Sequence, residues 1–210
     1  MKKILSIGFA ALLLGACEVP YKNNAYLVVT KVIQATVQTS GQTTGCIYTP
    51  DTLEQTFGVF NPGGGFYTHG LVVENRLEDN SLLGPGRVNT NDFQIEYATI
   101  DYAQVDGPAV IMPEQTVPAN GLILTKGKGV TQVDLIPSAV AQAIGASTMK
   151  VRVLVQIYGR LLDGTRVKTN TYEYVVQADP TFLVPAPACT APKVPVACEG
   201  VNQDTGTGCE

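Results

Sequence analysis

Side chains that carry acid–base or nucleophilic chemistry are scarce in this chain. It has one histidine, His69, so neither a histidine dyad nor a metal site with two histidine ligands can form. Serine hydrolases of one large class place the nucleophile in a Gly-x-Ser-x-Gly turn, and the sequence contains no such turn. The residues around His69 are typical of a loop, and we expect an exposed loop histidine.

Glu96 and Asp101 are the candidate pair for glycosidase-like acid–base catalysis. They are five positions apart in a predicted strand, which places them on opposite faces unless a bulge shifts the alternation. Sugar sites often stack the ligand on tryptophan, which the chain lacks. The tyrosines that could replace it are Tyr67, Tyr97, Tyr102 and Tyr158. We expect no catalysis by the acidic pair, and no enzyme activity.

Two loop motifs could hold an ion. Residues 61–65 read Asn-Pro-Gly-Gly-Gly, and glycine-rich turns can present N–H groups to a phosphate. No Gly-Lys-Ser/Thr sequence or helix follows, so a turn between strands is the better interpretation. Five oxygen-bearing side chains could ligate calcium: Asp79, Asn80, Asn89, Asn91 and Asp92. Their spacing is not that of an EF-hand, and turn residues explain them equally well, so we expect no metal and no cofactor.

The amino terminus has the pattern of an export signal. Lys2 and Lys3 are followed by an apolar run over residues 4–14 and by small residues before Cys17. The run is too short for a permanent membrane-spanning helix. The sequence Leu14-Gly15-Ala16-Cys17 resembles the lipobox of bacterial lipoproteins.

This resemblance implies that residues 1–16 are a signal peptide and that Cys17 is the lipidated first residue of the mature chain. In that family the cysteine sulfur receives a diacylglycerol, and the new amino group receives an acyl chain such as palmitate. Two or three chains give stable anchoring. Glu18 follows Cys17, whereas Asp at that position resembles an inner-membrane retention signal. The resemblance therefore implies the cell envelope, at the outer membrane of a Gram-negative bacterium.

Four cysteines remain, namely Cys46, Cys189, Cys198 and Cys209. An even number in an exported protein predicts two disulfides. Three pairings are possible, and we favour Cys198 with Cys209 and Cys46 with Cys189. The spacings do not match a compact zinc site.

Charge argues against a nucleic-acid partner. The chain has a net charge of −4, which becomes −6 when Lys2 and Lys3 leave with the signal peptide. Its Lys and Arg residues are scattered, so nothing predicts attraction to nucleic acid or to an anionic membrane surface. Membrane attachment is therefore expected through the acyl chains on Cys17.

The mature chain has the composition and periodicity of a β protein. Strands are predicted over 26–38, 57–60, 70–77, 92–102, 110–112, 121–125, 150–158 and 166–177, and one short helix over 138–144. Within 92–102 the large apolar residues shift from odd-numbered to even-numbered positions, which predicts a bulge near Ala98. Asp163-Gly164 predicts a tight hairpin turn.

These elements predict an antiparallel β-sandwich over residues 25–178, with a closed β-barrel as the alternative. The arrangement resembles immunoglobulin-like or fibronectin-like domains in architecture only. Residues 17–24 are expected to form a lipidated tether. The Pro- and Cys-rich tail over 179–210 is expected to be extended, held by disulfides and without strand pairing.

The expected function is that of a non-catalytic envelope lipoprotein, serving as a structural or protein-interaction module with an envelope protein as partner. The alternative is a glycan- or small-ligand-binding lipoprotein with a tyrosine-lined site. Convergence of several tyrosines in one pocket would favour the alternative.

Overall fold

The computed structural model describes residues 21–40, 43–84, 88–190, 195–198, 203–204 and 207–209. Cys17 and the predicted signal peptide lie outside these residues. In chain order the strands are β1 (Lys22–Asn23), β2 (Leu27–Ile33), β3 (Thr36–Ser40), β4 (Thr43–Ile47), β5 (Gly58–Phe60), β6 (Tyr67–Asn75), β7 (Phe93–Asp106), β8 (Gln115–Ile123), β9 (Lys128–Ile136), β10 (Met149–Leu161), β11 (Arg166–Lys168), β12 (Tyr172–Ala178), β13 (Pro195–Ala197) and β14 (Thr207–Cys209). The helices are α1 (Ser138–Ile144) and two short 3-10 helices, Pro62–Gly64 and Asn80–Leu83.

The larger sheet is built around the long strand β10. One edge of β10 pairs with β7, which pairs in turn with β8. The other edge pairs with β11 and then with β12. These pairs are antiparallel, whereas β1 joins β11 and β5 joins β12 in parallel. The predicted hairpin is confirmed, and Gly164 in its turn has a φ of 85°.

A second sheet has the strand order β2-β6-β9 and faces the same core. One face of β10 points into this core, because Val151, Val153, Val155 and Ile157 are all fully buried. Leu71 of β6 and Leu135 of β9 are also buried in this core. The described strands thus form several open sheets, consistent with a β-sandwich. The alternative of a closed barrel is wrong.

The predicted change of parity in β7 is confirmed, but it lies at Glu96 rather than Ala98. Tyr158 lies opposite Tyr97, and Gly159 lies opposite Ile95, so Glu96 is the extra residue. Ile95 and Ala98 are consequently both buried, although residues three positions apart in a regular strand point to opposite faces. Gly159 permits the close approach, since a Cβ there would lie 2.0 Å from the Gln94 carbonyl oxygen.

Helix α1 has the predicted bounds. Gly145 ends it with a φ of 59°, as glycine readily does. Pro137 occupies the N-cap position without a side-chain hydrogen bond. The segment predicted as a strand over 110–112 is irregular.

The tail differs from the prediction because it does form strand pairs. β13 and β14 pair in antiparallel fashion, and Gln203 bridges to Phe60 of β5. The tail therefore covers the outer edge of β5, which would otherwise offer unpaired backbone groups. At the other end of the chain, Lys22 and Asn23 of the predicted tether pair with β11.

Candidate functional site

The four cysteines form two disulfides, as predicted, but the favoured pairing is wrong. The bonds join Cys46 to Cys198 and Cys189 to Cys209. The β13–β14 hairpin explains the pairing, because Pro195 lies opposite Cys209. Cys198 is three residues further along, or about 10 Å in extended chain, beyond the usual Cα separation of a disulfide.

His69 is a buried strand residue, not an exposed loop residue. It lies in β6 with 0% of its surface exposed, and Tyr67 packs against its ring at 4.4 Å between centroids. Its Nε2 atom lies 3.3 Å from Oδ1 of Asp204 in the tail. The sequence context of Asp204, a polar stretch of the tail, gave no signal of this contact.

Asp204 fixes the tail to the larger sheet. Its Oδ2 atom accepts a hydrogen bond from the Val59 N–H at 2.9 Å and another from the Gln55 amide. Its own N–H donates to the Val59 carbonyl at 2.9 Å. The neighbouring Gln203 accepts a hydrogen bond from the Thr68 N–H at 2.7 Å. We call Gln203 and Asp204 with these partners the tail latch, and it links β5 of one sheet to β6 of the other.

A histidine beside an aspartate is also two-thirds of a hydrolase triad. Such a dyad acts as a general base only if substrate reaches the imidazole. The His69 ring is enclosed by Tyr67 and Asp204 and has no exposed surface. The geometry therefore suits a contact that holds the tail.

Asp204→Ala is expected to lower the free energy of unfolding by about 2 kcal/mol, because the half-buried donors at Val59 and Gln55 lose a charged acceptor. Chemical denaturation measures the change, and limited proteolysis should release the tail sooner. Glu114→Ala, at an exposed position, is the control and should change stability by less than about 0.5 kcal/mol. An Asp204→Ala protein as stable as this control would contradict the latch.

Two buried tyrosines lie beside the latch. The Tyr67 and Tyr174 hydroxyls are 3.2 Å apart, and both side chains are almost wholly buried. Gly58 makes room for them, since a Cβ there would lie 2.1 Å from the Tyr67 hydroxyl. Burial is the main cause that raises the pKa of both phenols above the ordinary value of 10.0. The charge of Asp204 raises both further.

The raised tyrosine pKa values predict loss of stability in alkali. Below pH 10 both the folded and the unfolded chain keep the phenol protons, so ionisation of these groups costs no stability. Above pH 10 the unfolded chain releases the protons while the folded protein retains them. Stability should then fall by about 1.4 kcal/mol per pH unit for each buried phenol until the folded pKa is reached. Tyr67→Phe should make this decline shallower, whereas Tyr26→Phe, at a position 58% exposed, should not. Denaturation series above pH 10 measure this decline. A free energy of unfolding that falls equally steeply with pH in Tyr67→Phe and in the parent chain would contradict the prediction.

Three tyrosines come together on the outer face of the larger sheet, and we call Tyr21, Tyr97 and Tyr158 the outer tyrosine cluster. Tyr97 and Tyr158 lie opposite each other on β7 and β10 and stack at 4.9 Å. The Tyr21 ring meets both edge-on, at 6.0 and 5.0 Å. The bulge at Glu96 turns Tyr97 outward and makes the stack possible.

Charged groups surround the outer tyrosine cluster. The Arg166 guanidinium lies 5.6 Å from the Tyr21 ring centre, and the Lys168 ammonium lies 5.5 Å from that of Tyr158. Glu96 accepts hydrogen bonds from the Arg160 Nε at 2.6 Å and from the Tyr21 hydroxyl at 3.1 Å. Burial and then hydrogen bonds with Tyr97 and Glu96 raise the pKa of Tyr21.

The predicted tyrosines do not form one site. Tyr97 and Tyr158 meet, but Tyr67 is buried at the latch, and Tyr102 donates a hydrogen bond to the Leu135 carbonyl at 3.1 Å. Tyr21 falls within residues 17–24, for which the sequence predicts a tether and no site residue. A polar stretch with a lone tyrosine carries no local signal that it docks on a sheet.

Glu96 and Asp101 are not arranged as a catalytic pair. The bulge does bring them to the same face of β7, but they remain about 13–16 Å apart along the strand, more than the separation that glycosidases use. Glu96 is engaged by Arg160 and Tyr21, whereas Asp101 is exposed.

The residues considered as calcium ligands, for which no metal is expected, make hydrogen bonds within and between their loops. Asp92 Oδ1 accepts from the Thr125 N–H at 2.8 Å and from the Asn89 amide at 2.7 Å. The Asn80 amide group donates a hydrogen bond to the Thr90 hydroxyl, and the Asn80 side-chain oxygen accepts one from the Thr90 N–H. Within the described ranges, no three His, Cys, Asp or Glu side chains lie close enough to share a metal ion.

The glycine-rich turn uses its N–H groups internally. Gly63 donates to the Asn61 side chain, Gly64 to the Asn61 carbonyl and Gly65 to the Pro62 carbonyl. These groups are therefore not turned toward an anion, and the segment connects β5 to β6 as predicted.

No helix in the described part of the chain is long and apolar enough to cross a membrane. Comparison of the chain with protein-family models, curated proteins and solved structures found no match in any of the three.

Proposed function

We propose that the protein is a lipid-anchored, non-catalytic lipoprotein of the cell envelope, attached through Cys17 to the outer membrane of a Gram-negative bacterium. In this proposal the β-sandwich is a structural or protein-interaction module, of immunoglobulin-like or fibronectin-like architecture. The export and lipidation signals of residues 1–17 support the location.

One observation supports a non-catalytic role: the reactive side chains are engaged in contacts that stabilise the fold. His69 is enclosed in the tail latch, and Glu96 is engaged by Arg160 and Tyr21. A catalytic site needs groups that substrate can reach. The tail latch and two disulfides instead favour a rigid surface, which suits a binding module.

The alternative, a glycan or small-ligand binder, has less support. Sugar stacking requires a free aromatic face, but Tyr97 and Tyr158 stack on each other and Lys168 lies over the Tyr158 ring. Tyr67 is fully buried.

Crosslinking of the full-length protein in its native envelope tests the proposed function. We expect a specific protein adduct, identified by mass spectrometry, and no adduct when the same chain is crosslinked after detergent extraction and dilution. Retention on a glycan array that is lost in Tyr97→Ala and Tyr158→Ala variants, without any protein adduct, would favour the alternative. Hydrolysis of a substrate that is lost in His69→Gln would contradict the proposal.

A further inference from the structure

The position of β1 fixes where the amino-terminal chain leaves the domain. Lys22 pairs in parallel with Val167 of β11, so β1 begins on the side of the turn between β10 and β11. Three residues separate Cys17 from Tyr21. Even fully extended, the chain between these two Cα atoms spans at most about 14 Å. We call this end of the sandwich the anchor end.

Exposed leucines lie at the anchor end. Leu161, Phe93 and Ile123 are at one level across β10, β7 and β8, and the residues next to them point into solvent. Leu162 is 51% exposed, Leu122 is 55% exposed and Leu124 is 59% exposed.

The described parts of the segment between β6 and β7, residues 76–84 and 88–92, lie at the same end, because Asp92 bonds to Thr125 and to Leu162. Leu83 and Val88 in this loop are exposed as well.

Cations flank this apolar group. Arg160, Arg166 and Lys168 lie around the outer tyrosine cluster and are opposed by Glu96 there and by Asp163 in the turn between β10 and β11, which leaves a local charge of 3 − 2 = +1 in a chain whose net charge is −4. The other carboxylates at the anchor end are engaged, Glu74 by Arg76, Glu78 by Lys126, Asp79 by the Ser81 N–H and Asp92 by the Thr125 N–H. Asp106, Asp134 and Asp179 lie at or beside the other end of the sheets. Anionic headgroups attract cations and repel carboxylates.

We propose that the anchor end lies on the bilayer surface, with Leu122, Leu124 and Leu162 at the acyl boundary and Arg166 and Lys168 among anionic headgroups. This inference rests on the lipidation of Cys17 in the proposed function. The short span to Tyr21 leaves too little chain to hold the domain far from its lipid. Exposed leucines beside cations and tyrosine are the composition of an interfacial surface.

The orientation has a consequence for the partner. Helix α1, the tail latch and β5 lie toward the end at which β9 finishes and β6 begins, and they face away from the bilayer. The surface open to an envelope protein is therefore the one that the latch and the disulfides hold rigid.

Tryptophan fluorescence tests this orientation, because the chain has no tryptophan of its own. The lipidated full-length variants Leu124→Trp, Leu162→Trp and, as the control, Ile111→Trp are reconstituted in vesicles. Ile111 is 91% exposed and lies beyond the opposite end of β7. The vesicles contain phosphatidylethanolamine and phosphatidylglycerol with brominated acyl chains. Flotation shows that each variant is anchored.

The introduced tryptophan is expected to lose about half of its emission at positions 124 and 162, where it lies within about 5–10 Å of the acyl boundary, and almost none at position 111. Flotation without quenching at both positions 124 and 162, or stronger quenching at 111, would overturn the orientation alone. If instead the parent protein isolated from its native membrane carries an unmodified Cys17 thiol, the proposed function and this inference are both overturned.

Discussion

A chain carrying Cys17→Ser is expected to leave the membrane fraction almost completely. Each buried methylene contributes about 0.8 kcal/mol, so two or three acyl chains stabilise attachment by more than about 10 kcal/mol. The described domain offers only a few exposed leucines in their place, which cannot hold it alone. Fractionation of cells into membrane and soluble pools measures the change.

Glu18→Gln is the matched control, because it alters the next residue and leaves Cys17 in place. It should stay with the membrane as the parent chain does. A Cys17→Ser chain that is still processed and still bound to membranes would contradict lipid anchoring at this residue.

Removing the Cys46–Cys198 disulfide by Cys46→Ala with Cys198→Ala is expected to cost about 5 kcal/mol of the free energy of unfolding. The bond closes a loop with a sequence separation of 152, and the chain-entropy model relates the cost to the logarithm of loop length. The bond also joins β4 to the tail, so its loss should expose the tail to proteolysis. Denaturant titration under non-reducing conditions measures the stability.

The other disulfide is the matched comparison. Cys189→Ala with Cys209→Ala opens a loop with a separation of only 20, and the same model gives about 3 kcal/mol. Equal costs, or a larger cost for the shorter loop, would contradict this account of tail fixation.

Local patterns predicted much of the scaffold. Alternation along β10, the Asp-Gly turn after it and the Pro and Gly residues around α1 act over a few residues, so their outcome can be anticipated from the sequence alone. The parity change in β7 was also visible. Its location was off by two residues, because Gly159 on the neighbouring strand decides where the extra residue fits.

The candidate site was not predictable in the same way. His69 lies in the buried central strand β6 and contacts Asp204, 135 positions away in the tail, and no local pattern encodes that contact. The disulfide pairing failed for the same reason, since the β13–β14 hairpin sets which cysteines can meet. Tyr21 joined Tyr97 and Tyr158 only because β1 docks beside β11.

The measurement that tests the central claim most directly is the mass of the amino-terminal peptide of the protein isolated from its native membrane. The account predicts that this peptide begins at Cys17, with a diacylglycerol on the sulfur and an acyl chain on the amino group. A peptide that begins at another residue, or one in which Cys17 carries an unmodified thiol, would contradict it.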